Sequence, residues 1–288
     1  MSQGLHISFL GVDGIGKTSL ATRLARLLGE HGLPVRLISW RGTLDEEEDP
    51  QPWPGVALQQ LWLETFRLLY GGASCEGEPL DLPRDYVQWR DGGYEDRMGR
   101  SDVRGTRPAG PMAAALAELA GNVVLFPEVV RPAVQRGEIV IQETFPYKHV
   151  LKQLLIAERL QTDPAQVELI GHAMSFMTTM FGSALFQPDI GVLVDGPVSL
   201  AYAWRIAESG HVGALEDFSA AGEHGEASFH RLQEETADAF RRVAKDWDWL
   251  VHTVDGTGLE ENMRQGVELI TAHPALRATM AGRRAGRG

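Results

Sequence analysis

The sequence is poor in cysteine and in lysine. Cys75 is the only cysteine among the 288 residues, so no disulfide can form within the chain, and we expect a reducing, cytoplasmic environment. Lysine occurs at only four positions, and arginine supplies the other positive charges: Lys17, Lys148, Lys152 and Lys245. Each lysine is therefore a candidate for a specific role.

Long apolar runs and an excess of positive charge are also missing. No stretch reaches the ~18 consecutive apolar residues typical of a membrane span, and the N-terminus lacks a cationic segment followed by an apolar one. The net charge of −12 disfavours nucleic-acid polymers and anionic membranes, because their phosphates would be repelled. Four histidines lack the spacing and the cysteine partners of a zinc site: His149, His172, His211 and His224. We expect a protein that binds a small molecule in a local basic pocket.

What the sequence does contain is an alternation of short apolar runs and amphipathic segments. Five runs predict strands: Leu5–Leu10, Val35–Trp40, Glu138–Gln142, Ile190–Val194 and Trp249–Val254. The predicted helices between and after them include Val56–Tyr70, Met112–Arg136, Tyr147–Leu160, Pro164–Leu185, Val198–Ala207, Ser228–Lys245 and Leu259–Ala272. This order predicts an α/β fold with three layers, in which helices cover both faces of a parallel five-stranded sheet. The carboxyl ends of the strands then meet at one edge, where we expect the site.

The motif with the clearest chemistry is Gly11–Thr18, which fits G-x-x-x-x-G-K-[ST] in full. It lies between an apolar strand and an amphipathic helix, as a phosphate-binding loop must. Its glycines turn successive N–H groups inward, and the helix that follows adds the positive end of its dipole. We assign Lys17 to the β- and γ-phosphates, Thr18 to Mg²⁺, and the neighbouring residues Gly11, Gly14, Gly16 and Ser19 to the same ATP molecule.

The organisation predicted around this loop is a single domain over residues 1–272. Residues 71–110 are rich in Gly, Pro, Asp and Arg and predict an insertion or a mobile loop. Residues 206–227 include a loop rich in glycine and acidic residues. Asp45–Asp49 predicts a solvated acidic loop, and 273–288 predicts a disordered tail.

The phosphate loop and its surroundings resemble thymidylate kinases. Four segments carry the resemblance, which covers most of the chain except roughly 71–115: Phe9–Thr18, Val130–Ile141, Pro188–Pro197 and Val254–Glu260. It implies a P-loop kinase domain with a lid at residues 206–227, ATP as donor, Mg²⁺, a nucleotide-like acceptor and often a homodimer.

The resemblance also implies roles for single residues. Asp13 matches the loop carboxylate that contacts the acceptor sugar, and near Lys17 and Mg²⁺ it should stay ionised. Arg205 falls on the arginine that opens the lid, Thr257 on the adenine-side turn, and Gln153 on a base-contacting glutamine. Asp195 is expected to be structural.

Three departures from the family concern positive charge. The Asp-Arg pair after the third strand is here Glu143-Thr144, so the carboxylate remains for a Mg²⁺-bound water or the acceptor proton while the arginine is lost. The helix arginine that holds the acceptor phosphate aligns with Asn122, and the following histidine with Leu125. The lid has no Lys or Arg between Arg205 and Arg231. Phosphoryl transfer depends on electrostatic stabilisation, so these losses need replacement.

Lys148 and Lys152, one helical turn apart, are candidate replacements, with a solvated helix face as the alternative. Arg41 could also reach the acceptor, or form a surface ion pair.

The leading hypothesis is an ATP-dependent phosphotransferase for a nucleoside monophosphate or modified nucleotide. Two alternatives are a kinase for a hydroxyl acceptor without a phosphate, such as a nucleoside or specialised metabolite, and a catalytically weak ATP-binding protein.

Overall fold

The computed structural model describes residues 4–45 and 52–285. Its strands are β1 Leu5–Leu10, β2 Val35–Leu37, β3 Ser74–Cys75, β4 Glu78–Pro79, β5 Ile139–Gln142, β6 Ile190–Asp195 and β7 Leu250–Thr253. Five of them form one parallel sheet in the order β2-β5-β1-β6-β7, while β3 and β4 form a small antiparallel hairpin. The predicted α/β class and the parallel five-stranded sheet are confirmed.

The helices occupy most of the remaining chain. They are α1 Lys17–Glu30, α2 Trp40–Asp45, α3 Ala57–Tyr70, α4 Tyr86–Asp91, α5 Tyr94–Gly99, α6 Ala109–Leu125, α7 Arg131–Gln135, α8 Tyr147–Leu160, α9 Pro164–Phe181, α10 Val198–Ser209, α11 Glu226–Asp246, α12 Leu259–Thr271 and α13 Pro274–Ala285. A kinked segment, Pro52–Val56, with extended backbone at Trp53, precedes α3, and a π-type segment, Phe126–Val130, precedes α7. The segment Phe126–Val130 contains Pro127 and interrupts the predicted helix Met112–Arg136, because proline lacks the N–H of a regular helical hydrogen bond.

The sheet separates two apolar cores, because successive side chains of a strand point to opposite faces. Ile7 and Phe9 of β1 pack with α1 and α12 on one side. Val140 of β5 and Leu193 of β6 belong to the core on the other side, where α3, α6, α8 and α11 pack. This arrangement gives the three layers that the alternating sequence predicts.

The carboxyl ends of the central strands meet at one edge. β1 pairs with β5 on one side and with β6 on the other, all in parallel. Gly11, Glu143 and Asp195, which follow or end these strands, therefore lie along the same edge, as predicted. After β5 the chain crosses back over β1, where the amide of Phe145 donates to the carbonyl of Phe9 at 2.7 Å.

Two segments differ from the sequence prediction. Residues 71–110 fold into the hairpin and the helices α4 and α5, and buried aromatic side chains such as Tyr86 and Trp89 supply the apolar contacts that the missing aliphatic residues would give. The predicted tail from 273 continues as α13, which Leu276 anchors by complete burial. Asp45 ends α2, and the rest of the acidic run, 46–49, lies outside the described residues, as does 286–288.

The run Ala109–Gln135 is the helical stretch, within the described ranges, that is long and apolar enough to cross a membrane by length and composition. Half of it is buried inside the protein, and α6 packs against both α3 and α8. Such burial is typical of the core helix of a soluble fold.

Candidate active site

The phosphate loop has the backbone that its motif predicts. Gly14 and Gly16 have φ angles of +78° and +90°, in the left-handed region that favours glycine. A Cβ atom on Gly14 would lie 2.4 Å from the carbonyl oxygen of Ala201, so a side chain there would push α10 away. The first turn of α1 begins at Lys17 with no side-chain cap, which leaves its amides free to bind an anion.

Lys17 is buried at the base of the loop. Its Nζ donates to the carbonyl oxygen of Val12 at 2.5 Å. Burial and the positive charge of Lys148 hold the pKa of Lys17 well below its ordinary value of 10.5, against the opposing effect of Asp13. A phosphate bound in the loop would compensate this unfavourable burial, since it would supply a charge-assisted partner.

Asp13 binds both lysines of α8. Lys148 Nζ donates to Oδ1 at 2.5 Å and Lys152 Nζ to Oδ2 at 2.6 Å, and all three side chains are about nine-tenths buried. Burial of the carboxylate raises its pKa, but the charges of Lys148, Lys152 and Lys17 outweigh this and hold the pKa well below 3.8. Three lysines surround one carboxylate, so the basic groups outnumber the acid that compensates them. The alternative that these lysines lie on a solvated helix face is wrong.

Gln233 of α11, which sequence reasoning missed, connects the loop to the lid. The side chain is fully buried, and its Nε2 donates to Asp13 Oδ2 at 3.1 Å and to the carbonyl oxygen of Glu216 at 2.9 Å. Its Oε1 accepts from the Asp13 amide at 3.2 Å. No local pattern in a long amphipathic helix distinguishes such a glutamine from a surface one.

The lid carries its own carboxylate into the site. Glu216 is buried and accepts from Arg205 Nε at 2.9 Å and Nη2 at 2.5 Å, and from the amide of Gly213 at 3.0 Å. The hydrogen bonds to Glu216 raise the pKa of Arg205 above its ordinary range. The predicted lid arginine is therefore at the site but is paired with an acid from the lid. The acidic composition of the lid was the available sequence signal.

Two pockets meet at these residues. One, of about 300 Å³, adjoins the phosphate loop; Gly14, Gly16, Lys17, Thr18 and Ser19 line it, with Trp204 and Leu259 at the side. The other, which we name the aromatic pocket, has a volume of about 470 Å³ and is lined by residues that include Trp62, Phe66, Tyr70 and Trp89. Four residues line both pockets: Asp13, Lys148, Arg205 and Glu216.

The other predicted site residues lie either in these pockets or elsewhere along the carboxyl edge of the parallel sheet. Arg41 lines the aromatic pocket, and its guanidinium lies 5.3 Å from the centre of the Trp89 ring. It belongs to α2, because β2 ends at Leu37, earlier than the sequence predicts. Gln153 lines the same pocket. Gly11 packs against β6, where a Cβ atom would lie 2.5 Å from the carbonyl oxygen of Val194.

Glu143 and Thr257 line neither pocket. Thr257 instead donates its amide and its hydroxyl to Asp255, at 2.9 and 2.5 Å. Glu143 is half-buried at the sheet edge, beside Thr144, which does line the loop pocket. Their predicted contacts with ATP and metal therefore stay predictions.

Few side chains in the described part of the site could bind a metal ion. Among residues 4–45 and 52–285, no group of three or more His, Cys, Asp or Glu side chains could hold an ion. Thr18 is exposed in the loop pocket, whereas Asp13 is already bound to two lysines. This set fits Mg²⁺ carried in on nucleotide phosphates, because that ion keeps most of its waters and needs few protein ligands.

Asp195, at the end of β6, forms a surface ion pair with Arg241, whose Nη2 lies 2.9 Å from Oδ1. This contact agrees with the structural role that the sequence predicts.

No protein-family model and no curated protein matches the chain at a significant level.

Proposed function

We propose that the protein is an ATP-dependent phosphotransferase, similar to thymidylate kinases, that passes the γ-phosphoryl group to a nucleoside monophosphate or a modified nucleotide. The observation that carries this proposal is the junction of the two pockets. An anion in the loop pocket and a ligand in the aromatic pocket would both contact Asp13 and Lys148. A donor phosphate and an acceptor oxygen are thereby brought close together, which is the main requirement of phosphoryl transfer.

The charges at the junction support the chemistry. Lys17 holds the β- and γ-phosphates, and the lysines that surround Asp13, which outnumber this one carboxylate, stabilise negative charge on the migrating group. Mg²⁺, held by Thr18 and the phosphates, would neutralise further charge on ATP. The acceptor oxygen forms a bond to the γ-phosphorus as the bond to the bridging oxygen breaks, which leaves ADP. A hydroxyl acceptor also releases a proton.

A second candidate acceptor is a hydroxyl compound without a phosphate. Cations that line the aromatic pocket already have partners: Lys148 and Lys152 bind Asp13, and Arg205 binds Glu216. The buried carboxylate of Glu118 lines the pocket as well. A phosphate charge about 6 Å from it would be repelled by roughly 3 kcal/mol at an effective dielectric constant near 20. This repulsion disfavours a phosphorylated acceptor near Glu118.

Cytoplasmic localisation and a homodimer complete the proposal. The single cysteine agrees with a reducing compartment. Leu169 and Phe176 lie two turns apart on α9 and are 46% and 53% exposed. They form an apolar stripe that a second copy of the chain could cover.

The test is a transfer assay over matched acceptors. The protein is incubated with Mg²⁺·ATP and with nucleosides or their monophosphates, and both ADP and the phosphorylated product are measured. A product from a monophosphate supports the first candidate, and a product from an unphosphorylated compound supports the second. Two results would contradict the proposal: ADP release without a phosphorylated product, or no ATP turnover with any of the acceptors. The remaining interpretation would then be a catalytically weak ATP-binding protein.

A further inference from the structure

Glu118 is a buried carboxylate with few partners to offset the cost of its desolvation. It lies on α6 and lines the aromatic pocket, and its side chain is only 7% exposed. In the described part of the chain, its side-chain partner is His149 of α8, whose Nδ1 is 3.5 Å from Oε1 and which is itself half exposed. A buried carboxylate needs charged or hydrogen-bonding partners to offset its desolvation. This weak contact leaves capacity for a ligand.

Gln153 presents an unsatisfied acceptor to the same pocket. It lies on α8, one turn beyond His149, and is nine-tenths buried. Its Oε1 has no hydrogen-bond partner within residues 4–45 and 52–285. Helices α6 and α8 pack directly on each other, so one pocket receives an acceptor from each of them. A ligand that satisfies both must bring hydrogen-bond donors.

The next polar residue along α6 does not supply those donors. Asn122 is one turn beyond Glu118 and is buried, but its Nδ2 donates to the Glu118 carbonyl at 2.8 Å. It does not line the aromatic pocket. A phosphate ion, which carries acceptors and negative charge, would therefore meet the Glu118 carboxylate with no cation from this helix beside it.

The opposite wall suits the rest of such a ligand. Trp62 and Trp89 line the pocket, and their Nε1 atoms lack hydrogen-bond partners among the described residues. Indole N–H groups suit a carbonyl or hydroxyl oxygen, and with Phe66 the rings offer an apolar surface for a flat group.

We propose that the aromatic pocket binds an acceptor that carries an amino group, whose N–H donors bind Glu118 and Gln153. An amino-substituted ring and a protonated aliphatic amine share this donor chemistry, and the aromatic wall favours the ring. The identity of this ligand as the phosphoryl acceptor rests on the proposed function, but its binding does not.

The experiment compares pairs of ligands in which one member has an amino group at a position where the other has none, by calorimetry without ATP. The pairs are cytidine with uridine, guanosine with inosine, and glucosamine with glucose. The last pair tests whether the ligand is a protonated aliphatic amine. We expect at least one amino ligand to bind about tenfold more tightly than its partner, the effect of one charge-assisted hydrogen bond. Glu118→Gln should reduce this preference to less than about threefold.

Glu168→Gln is the matched control. Glu168 and His172 form a similar contact at 3.6 Å on the exposed face of α9, outside the pocket. This variant should keep the full preference. If Glu118→Gln does not fold, as judged from its melting curve, Gln153→Met should reduce the preference in the same way.

The inference is overturned if none of the amino ligands binds, if the pairs bind equally, or if the preference survives both pocket substitutions. Tighter binding of uridine monophosphate than of cytidine monophosphate would also overturn it. Because the measurement needs no ATP, an amino preference without transfer would contradict only the proposed function. Transfer without the preference would contradict only this inference.

Discussion

Asp13→Asn should make the stability of the protein depend on bound anions. The substitution keeps the size of the side chain but removes the carboxylate that lies 2.5 and 2.6 Å from two buried lysines. Lys17, Lys148 and Lys152 then remain together without an anion between them. Loss of one partner of a buried ion pair typically destabilises a protein by ~3–5 kcal/mol.

The magnitude follows from the same contacts. At an effective dielectric constant near 20, two lysine charges about 5 Å apart repel each other by roughly 3 kcal/mol once the carboxylate is gone. We therefore expect a loss near the middle of the range, about 4 kcal/mol, which corresponds to a fall in Tm of roughly 10 °C for a chain of this size.

The pH dependence has a definite sign. The folded-state pKa of Asp13 lies below 3.8, so its stabilisation is present above that pH and is lost as the pH falls further. The folded-state pKa of Lys17 is also lowered, so the unfolded chain binds more protons and stability rises with pH towards 10.5. Without the favourable charge of Asp13, the pKa of Lys17 should fall further, so this rise should extend over a wider pH range in the variant.

The assay is thermal or urea unfolding of both proteins between neutral and alkaline pH, with and without phosphate. Phosphate at ~100 times its Kd should restore about 2.7 kcal/mol to the variant. Asp195→Asn is the control, because it removes a half-exposed ion pair with Arg241 at the same sheet edge. It should change the free energy of unfolding by less than about 1 kcal/mol. Equal Tm values for the two variants, with no rescue by phosphate, would refute this reasoning.

The remaining predictions concern the lysines and the lid. Lys152 lines only the aromatic pocket, so Lys152→Gln should raise the KM for the acceptor about tenfold and that for ATP little. Lys148→Gln should raise both, since Lys148 lines both pockets; a change in the ATP KM alone for either variant would contradict the assignment. Gln233→Met should speed hydrogen exchange in 211–218 by removing the bond to Glu216, and Gln265→Met, half-buried on α12 and bonded to Glu261, should not. Unchanged exchange in the first variant would show that the lid does not depend on Gln233.

Local patterns predict much of the fold and part of the site. The phosphate loop follows from its glycines and its place between β1 and α1, and the strands follow from apolar runs that are buried on both faces of the sheet. Lys148 and Lys152 stand out because lysine is rare in this chain. These features depend on residues close together in sequence, or on composition.

Other features depend on contacts between distant segments. Gln233 is 220 residues from Asp13, and the aromatic pocket joins α3, α4, α8 and the lid. Residues 71–110 were predicted as an insertion or a mobile loop because aliphatic residues are few, yet tryptophan and tyrosine are large enough to build a core there. The burial of Lys148 and Lys152 depends on how α8 packs, which periodicity does not reveal.

The most direct test of the central claim is γ-phosphoryl transfer from ATP in Lys17→Ala compared with Lys245→Ala. Lys17 is buried in the phosphate loop, whereas Lys245 is exposed in the last turn of α11, so the pair separates a site effect from a general loss of charge. We predict that Lys17→Ala lowers kcat/KM by a factor of about 100 or more and that Lys245→Ala leaves it unchanged. Wild-type transfer in Lys17→Ala would contradict the assignment of the loop as the ATP site.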